Sequence, residues 1–261
     1  MFIRQLDRAA IKREARELMH TARVSPIRIT LLFFAISFLL SLLDGAVTPL
    51  TGRLIGFASL SISFVSILIT LLSQVLEAGY RCYTLGVHRR EEMPCESLFD
   101  GFTFAGKIVA LYIIRSFFIA LWSMLFVIPG IIAAYRYSFA IWNLCQDPDI
   151  GVMEALERSK RQTIGYKGQL FGLQLSFFGW IVLILLAVGL YEGIILTWLP
   201  DSFPGIMLGT LILWLLQGAV GIYLLPYYTL SECGFYLRAT SPLSDSEIPH
   251  QEPPHYQGPE F

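Results

Sequence analysis

Glu77 and Arg81 stand four residues apart at the inner end of an apolar run, and Arg115 and Arg136 lie within apolar stretches of their own. A Glu–Arg pair at that spacing shares one helix face and forms an ion pair. An arginine at bilayer depth costs roughly 2.5 to 3.5 kcal/mol on insertion scales, so it either snorkels to the interface or turns to a bundle interior and finds a partner there. Arg115 is eight residues past Lys107, roughly 12 Å along a helix, and Arg136 is roughly 15 Å from the nearest basic segment by the same rise. Tyr135 and Tyr137 flank Arg136, and Pro129-Gly130 precedes it. Glu77 is the carboxylate expected within reach, so interior arginines outnumber acids. An anionic ligand such as a lipid phosphate would supply the missing charge. Arg81, Arg115, Arg136, Glu77, Tyr135 and Tyr137 are therefore the candidate anion-binding or buried polar residues.

Signatures of catalysis are missing. No H-E-x-x-H, G-x-S-x-G, phosphate loop or G-x-G-x-x-G occurs. Glu77 to Arg81 spells E-x-x-x-R, part of a pattern seen in intramembrane prenyl proteases, without the second Glu and the His that complete it. The four histidines, His20, His88, His250 and His255, sit in polar arms. No catalytic residue, metal site or cofactor is expected. Cys82, Cys95, Cys145 and Cys233 show no C-x-x-C or zinc spacing and are expected as reduced thiols.

The elements that must hold these residues follow from composition. With 55% hydrophobic residues, 15% charged residues and a mean hydropathy of +0.60 over 261 residues, the chain reads as a polytopic membrane protein. Runs of spanning length fall at 27 to 43, 54 to 76, 108 to 128, 169 to 190 and 206 to 230, with a shorter one at 130 to 146. Some twenty-five polar residues precede the first, so no signal peptide is expected. Arg and Lys concentrate in Met1–Arg28, in 81 to 107 and in 147 to 168, while the connectors 44 to 53 and 191 to 205 hold one and none. By the positive-inside rule this gives six spans with both termini cytoplasmic. Parity makes Pro129-Gly130 the outer turn of a helical hairpin, since Pro ends a hydrogen-bond ladder and Gly tolerates a tight reversal.

Three domains result: a cytosolic amphipathic N-terminal helix in 1 to 26, a six-span membrane domain in 27 to 239, and a disordered Pro- and acid-rich tail in 240 to 261. Arg4, Arg8, Lys12 and Arg16 form one row of the first helix, which could lie on an anionic leaflet or serve only as a topology signal. A second amphipathic helix is expected within 147 to 168, capped by Asp147 or Asp149 and stapled by Glu154–Arg158 and Glu157–Arg161. "YRCY" at 80 to 83 and "YRYS" at 135 to 138 suggest a duplicated hairpin. Of four G-x-x-x-G spacings (Gly52/Gly56, Gly168/Gly172, Gly189/Gly193, Gly205/Gly209), Gly168/Gly172 is the best placed for close helix packing.

The stretch "IPGIIAAYRYSFAIWNLCQDPDIGVMEALERSKRQTIGYKGQLFGLQLSFFGW", with "LLPYYTLSECGFYLR" after it and "AAIKREARELM" near the N-terminus, resembles the uncharacterised bacterial membrane family DUF975. Ser159-Lys160, Gly165, Lys167, Phe171, Leu175-Ser176-Phe177 and Gly179-Trp180 carry the resemblance. Two positions depart from the family pattern: Tyr166 where members often have His, and Gln174 where they often have an acid. The resemblance implies a bacterial inner-membrane location, a fold related to membrane domains attached to some glycerophosphodiester phosphodiesterases, and no established activity.

The expectation is an all-α, polytopic membrane helix bundle of unknown function. It is read as a non-enzymatic envelope interaction or lipid-contact module, with membrane lipids, anionic ones included, as partners. Self-association through helices or a protein partner is also open, and no nucleic acid is expected. A small transporter with an arginine-lined site and a membrane-bound regulatory partner of a cytosolic protein are the alternatives.

Overall fold

The computed structural model describes residues 5–22, 25–51, 57–198 and 203–241, all-α with no strand among them. In chain order the elements are α1 (Arg8–Thr21), α2 (Pro26–Thr51), α3 (Phe57–His88), a 3-10 helix over Cys95–Phe104, α4 (Ala105–Leu125), α5 (Val127–Arg136), α6 (Ala140–Gln146), α7 (Val152–Gln162), α8 (Lys167–Trp198) and α9 (Phe203–Thr240). Three segments among the described residues are long and apolar enough to cross a membrane: Pro26–Ala46, Ser63–His88 and Cys95–Leu125.

Helices outrun the hydropathy runs at several ends. α2 continues through most of the connector expected at 44 to 53, α8 reaches Trp198 and α9 reaches Thr240. Hydropathy marks where a helix leaves hydrocarbon, whereas hydrogen bonding carries it on until the chain must turn. The tail beyond Ser241 and the Gly52/Gly56 pair lie outside the described residues.

The short run at 130 to 146 is not one continuous span. It divides into α5 and α6, of 10 and 7 residues, each below the roughly 20 residues a bilayer core requires. The reversal before it also falls elsewhere than expected. α4 ends at Leu125, Phe126 is extended (φ −160°, ψ 154°) and α5 starts at Val127. Pro129 then occupies the first turn of α5, where its missing N–H costs nothing. Gly130 is pressed against Ser123 of α4, leaving no room for a Cβ. Pro-Gly therefore starts and seats the returning helix, and the corner itself is Phe126.

The core lies at the end of the molecule where Arg and Lys gather, hereafter the basic end. Tyr80, Tyr83 and Leu85 of α3, Phe139, Trp142 and Leu144 at α6, and Phe235 and Tyr236 of α9 are nearly or wholly buried. The other ends of the same helices are bare: Phe38 and Leu39, Phe64 and Ile67, Phe117 and Leu121, and Leu183 and Leu186 are exposed. Lipid tails are as apolar as leucine, so helices gain little by burying such faces from them. Outside hydrocarbon the hydrophobic effect returns and packs the helices tightly.

α1 belongs to this packed layer. Asp7 caps it, its carboxylate accepting from Ala9 N at 2.8 Å. Ile11, Ala15 and Met19 are buried, Ile11 lies beside Gly234 of α9, Glu14 pairs with Arg238 at 2.7 Å, and Leu6 N donates to Gln169 Oε1 at 2.9 Å. The apolar stripe that could have met lipid is taken by α8 and α9. α7 is docked likewise through Ala155, Leu156 and Ser159. Its N-cap is Gly151 without a side-chain bond. Of the expected staples, Glu154–Arg158 forms at 2.6 Å, and Asp147, instead of capping, holds Arg158 at 3.5 Å.

Candidate functional site

Arg81 is the centre of a buried ion cluster. Its guanidinium lies 2.9 Å from Glu77 on its own helix and 3.4 Å from Glu232 of α9, and its flat face sits over the Trp142 ring at 5.4 Å. The expectation of Glu77 as lone partner is thus corrected: Glu232, its side chain 5% exposed, completes the cluster. Arg115 faces the same place, sharing a cavity of about 40 Å³ with Gln74, Glu77, Arg81, Tyr112 and Ile141. Arg81 is thus paired with two carboxylates, and Arg115 lies across a small space from one of them, Glu77. Glu232 was hidden by its neighbours, because "TLSEC" looks like a helix leaving the membrane. The available signal was Leu230, Cys233 and the aromatics of "GFY", which put an apolar face on either side of it.

Arg136 is not in this cluster. Its Tyr-Arg-Tyr triplet fans out, with each side chain serving a different neighbour. The Tyr135 hydroxyl donates to Gln174 Oε1 of α8 at 2.7 Å. Tyr137 stacks on Phe118 of α4 at 5.9 Å between centroids. The Arg136 carbonyl, left over where α5 stops, accepts from Ser159 Oγ at 2.9 Å and from Thr163 Oγ1 at 3.3 Å, and Ser159 Oγ in turn accepts from Phe139 N at 3.1 Å. The break between α5 and α6 is therefore hydrogen-bonded by α7, as buried backbone polar groups require. The Arg136 side chain is half-buried, and its charge bears on Lys167 at the start of α8.

The two aromatic–arginine motifs do not occupy equivalent sites. α3 runs on to His88, in line with the expected continuation, and Tyr80 is buried with its hydroxyl 2.8 Å from Thr30 Oγ1. At Arg136 the helix ends instead. Gly168/Gly172 makes no close backbone crossing: a Cβ at Gly168 would meet nothing, and one at Gly172 would meet the guanidinium of Arg8 of α1. Gly165 has a function the spacing search missed, since its φ of 83° lets the chain turn from α7 into α8. The thiols also depart from expectation. Cys82 of α3 and Cys145 of α6, 63 residues apart, are joined in a disulfide, while Cys95 and Cys233 are free. Sequence spacing carries no information about such a pair, which the packing of α6 on α3 creates.

A groove of about 540 Å³ opens beside the packed layer, lined chiefly by Phe34 of α2, Phe171 and Phe178 of α8, and Gly221 and Leu225 of α9. Its polar feature is a relay in which Tyr135 donates to Gln174 and Gln174 Nε2 donates to the Tyr228 hydroxyl at 3.0 Å. Gln174, the position where an acid was the expected family residue, thus ties α5, α8 and α9 together without charge.

Fold and site together define a helical protein with membrane-length apolar helices and a polar, ion-paired interior at its basic end. Residues 124–242 match the family described as "Protein of unknown function (DUF975)", and over that stretch the chain is similar to it. The match covers the broken returning leg, α7, α8 and α9, and does not extend to the "AAIKREARELM" of α1. No curated protein matches the chain, and no solved structure does.

Proposed function

We propose that the protein is a non-enzymatic, multi-pass module of the bacterial plasma membrane, with both termini cytoplasmic, that acts by contact with lipid or with a protein partner and not by passing a solute. The observation that carries this reading is the small size of the cavity at the ion cluster. The space shared by Arg81 and Arg115 is about 40 Å³, room for a few waters at most, and Arg81 already has two carboxylates. A transport site needs space for a substrate and two routes to it. What the molecule offers outward is its bare apolar legs and the groove between α2, α8 and α9. Six crossings remain part of the proposal, with α5 and α6 as a broken fourth leg and the 32 residues of α8, roughly 48 Å of helix, as a fifth.

The alternative of a small transporter is favoured by the ion cluster alone, and one assay separates the two. Proteoliposomes loaded with a pH- or chloride-sensitive dye should leak no faster with the protein than without it. Flux above empty vesicles that Arg115→Leu abolishes would overturn the contact reading. Docking of a cytosolic protein would have to use the outer faces of α1 and α7, because their apolar faces are consumed internally.

A further inference from the structure

Four positions of α8, Lys167, Phe171, Gln174 and Phe178, follow one another at spacings of four, three and four and so share one helix face. The last three line the apolar groove, which places Lys167 one turn above its head. Tyr135 lines the same groove from α5 and packs edge-on against Phe171, with centroids 5.9 Å apart. The next residue is Arg136, whose backbone is fixed by Ser159 and Thr163. On the flank, Lys12 of α1 holds its ammonium 4.3 Å over the ring of Phe177, another groove residue.

These cations lack counter-charges. Among the described residues no carboxylate pairs with Lys12, Arg136 or Lys167, and the charge that bears on Lys167 is the like charge of Arg136. Partial burial pushes the Lys12 ammonium below its ordinary value. Cations concentrate at one end of an apolar slot whose length continues among helices of spanning length. A ligand that fits both parts has an anionic head and a hydrocarbon chain.

Building on the lipid-contact reading above, we propose that this groove binds an anionic phospholipid, its phosphate held by Arg136 and Lys167 with Lys12 alongside, and one acyl chain lying against Phe34, Phe171, Phe178, Gly221 and Leu225. Gly221 keeps the α9 wall low: a Cβ there would approach the Phe34 ring to 3.1 Å. The Tyr135–Gln174–Tyr228 relay leaves the floor of the groove polar but uncharged.

The test is native mass spectrometry of the full chain after relipidation with equal amounts of dioleoyl phosphatidylglycerol and dioleoyl phosphatidylethanolamine. The wild type should retain phosphatidylglycerol preferentially. Each cation near the surface contributes about a fivefold preference for an anionic lipid, so Arg136→Gln with Lys167→Gln should lower it more than tenfold. Lys167→Gln alone, which breaks no hydrogen bond of the break, should lower it about fivefold, and Arg158→Gln should leave it unchanged. Leu175→Trp, which narrows the groove, should reduce retention of both lipids. A preference that survives the double substitution in folded protein overturns the site while leaving lipid contact intact. Absence of lipid adducts on the wild type overturns both. Displacement of the lipid by millimolar inorganic phosphate would show that the head alone binds and overturn the acyl groove. A dimer mass without lipid would put a second copy there and overturn the proposal as well.

Discussion

Arg81 is tied from two sides, and the ties are unequal. The Glu77 side chain is 44% exposed and that of Glu232 is 5% exposed, so protein encloses the second pair far more than the first. Replacing Glu232 by Gln should cost about 2 to 3 kcal/mol, because it leaves a buried guanidinium short of a partner, less than a full orphan since Glu77 remains. Glu77→Gln should cost under about 1 kcal/mol. Thermal unfolding in detergent checks the order, and a larger loss for Glu77→Gln would contradict the assignment. Half of this cluster was legible from spacing, because Glu77 and Arg81 share a helix. The other half comes from a residue 151 positions away, and no local pattern announces such a contact. The same holds for Arg136, which depth alone groups with Arg115, although packing sets Arg115 beside Glu77 and Arg81 and Arg136 near Lys167.

The returning leg shows what can and cannot be read at the scale of an element. Loop charges led to an expected return between 107 and 147 with Pro129-Gly130 as its turn, whereas the chain breaks at Phe126 and Pro129-Gly130 lies inside α5. The corner moved to Phe126 because Pro is acceptable in the first turn of a helix, so it can open α5 as readily as close α4. The gap between α5 and α6 had no sequence signal, since "RYSF" contains no helix breaker. Its stability rests on α7. Ser159→Ala should free the Phe139 amide, leave the Arg136 carbonyl with Thr163 alone and cost about 1 to 3 kcal/mol, whereas Ser159→Thr should cost less. Chemical denaturation with a Trp142 fluorescence readout would follow this. The Cys82–Cys145 bridge is testable by alkylation. Without reductant, maleimide should label exposed Cys95 and spare Cys82 and Cys145, and reduction should release both. Closing a loop of 63 residues contributes about 4 kcal/mol in the chain-entropy account, so the reduced protein should unfold measurably earlier. Equal labelling of the pair before reduction would refute the bridge.

At the scale of the whole molecule, three segments among the described residues are long and apolar enough to cross a membrane, and the buried core lies at the basic end of the helices. Helical class and membrane-length apolar segments were plain from hydropathy. The position of the core was not, because hydropathy counts apolar residues without saying whether lipid or protein covers them. α1 shows the consequence: the same stripe of Ile11, Ala15 and Met19 suits a leaflet or a protein groove, and only assembly decides. Ile11→Ala should cost about 2 to 4 kcal/mol, as truncation of a buried Ile to Ala does. The loss should be the same in neutral and anionic lipid, whereas rescue by anionic lipid would put α1 back on the membrane surface. The central claim is that the ion-paired interior is closed and serves packing, not passage. The most direct measurement places a single reactive cysteine at Arg115 in sealed proteoliposomes, with Cys95 and Cys233 replaced by Ser, and adds a membrane-impermeant thiosulfonate to either face. The account predicts no labelling from either side. Labelling from one face and then from the other, as the protein changes state, would contradict it and make the cavity a transport site.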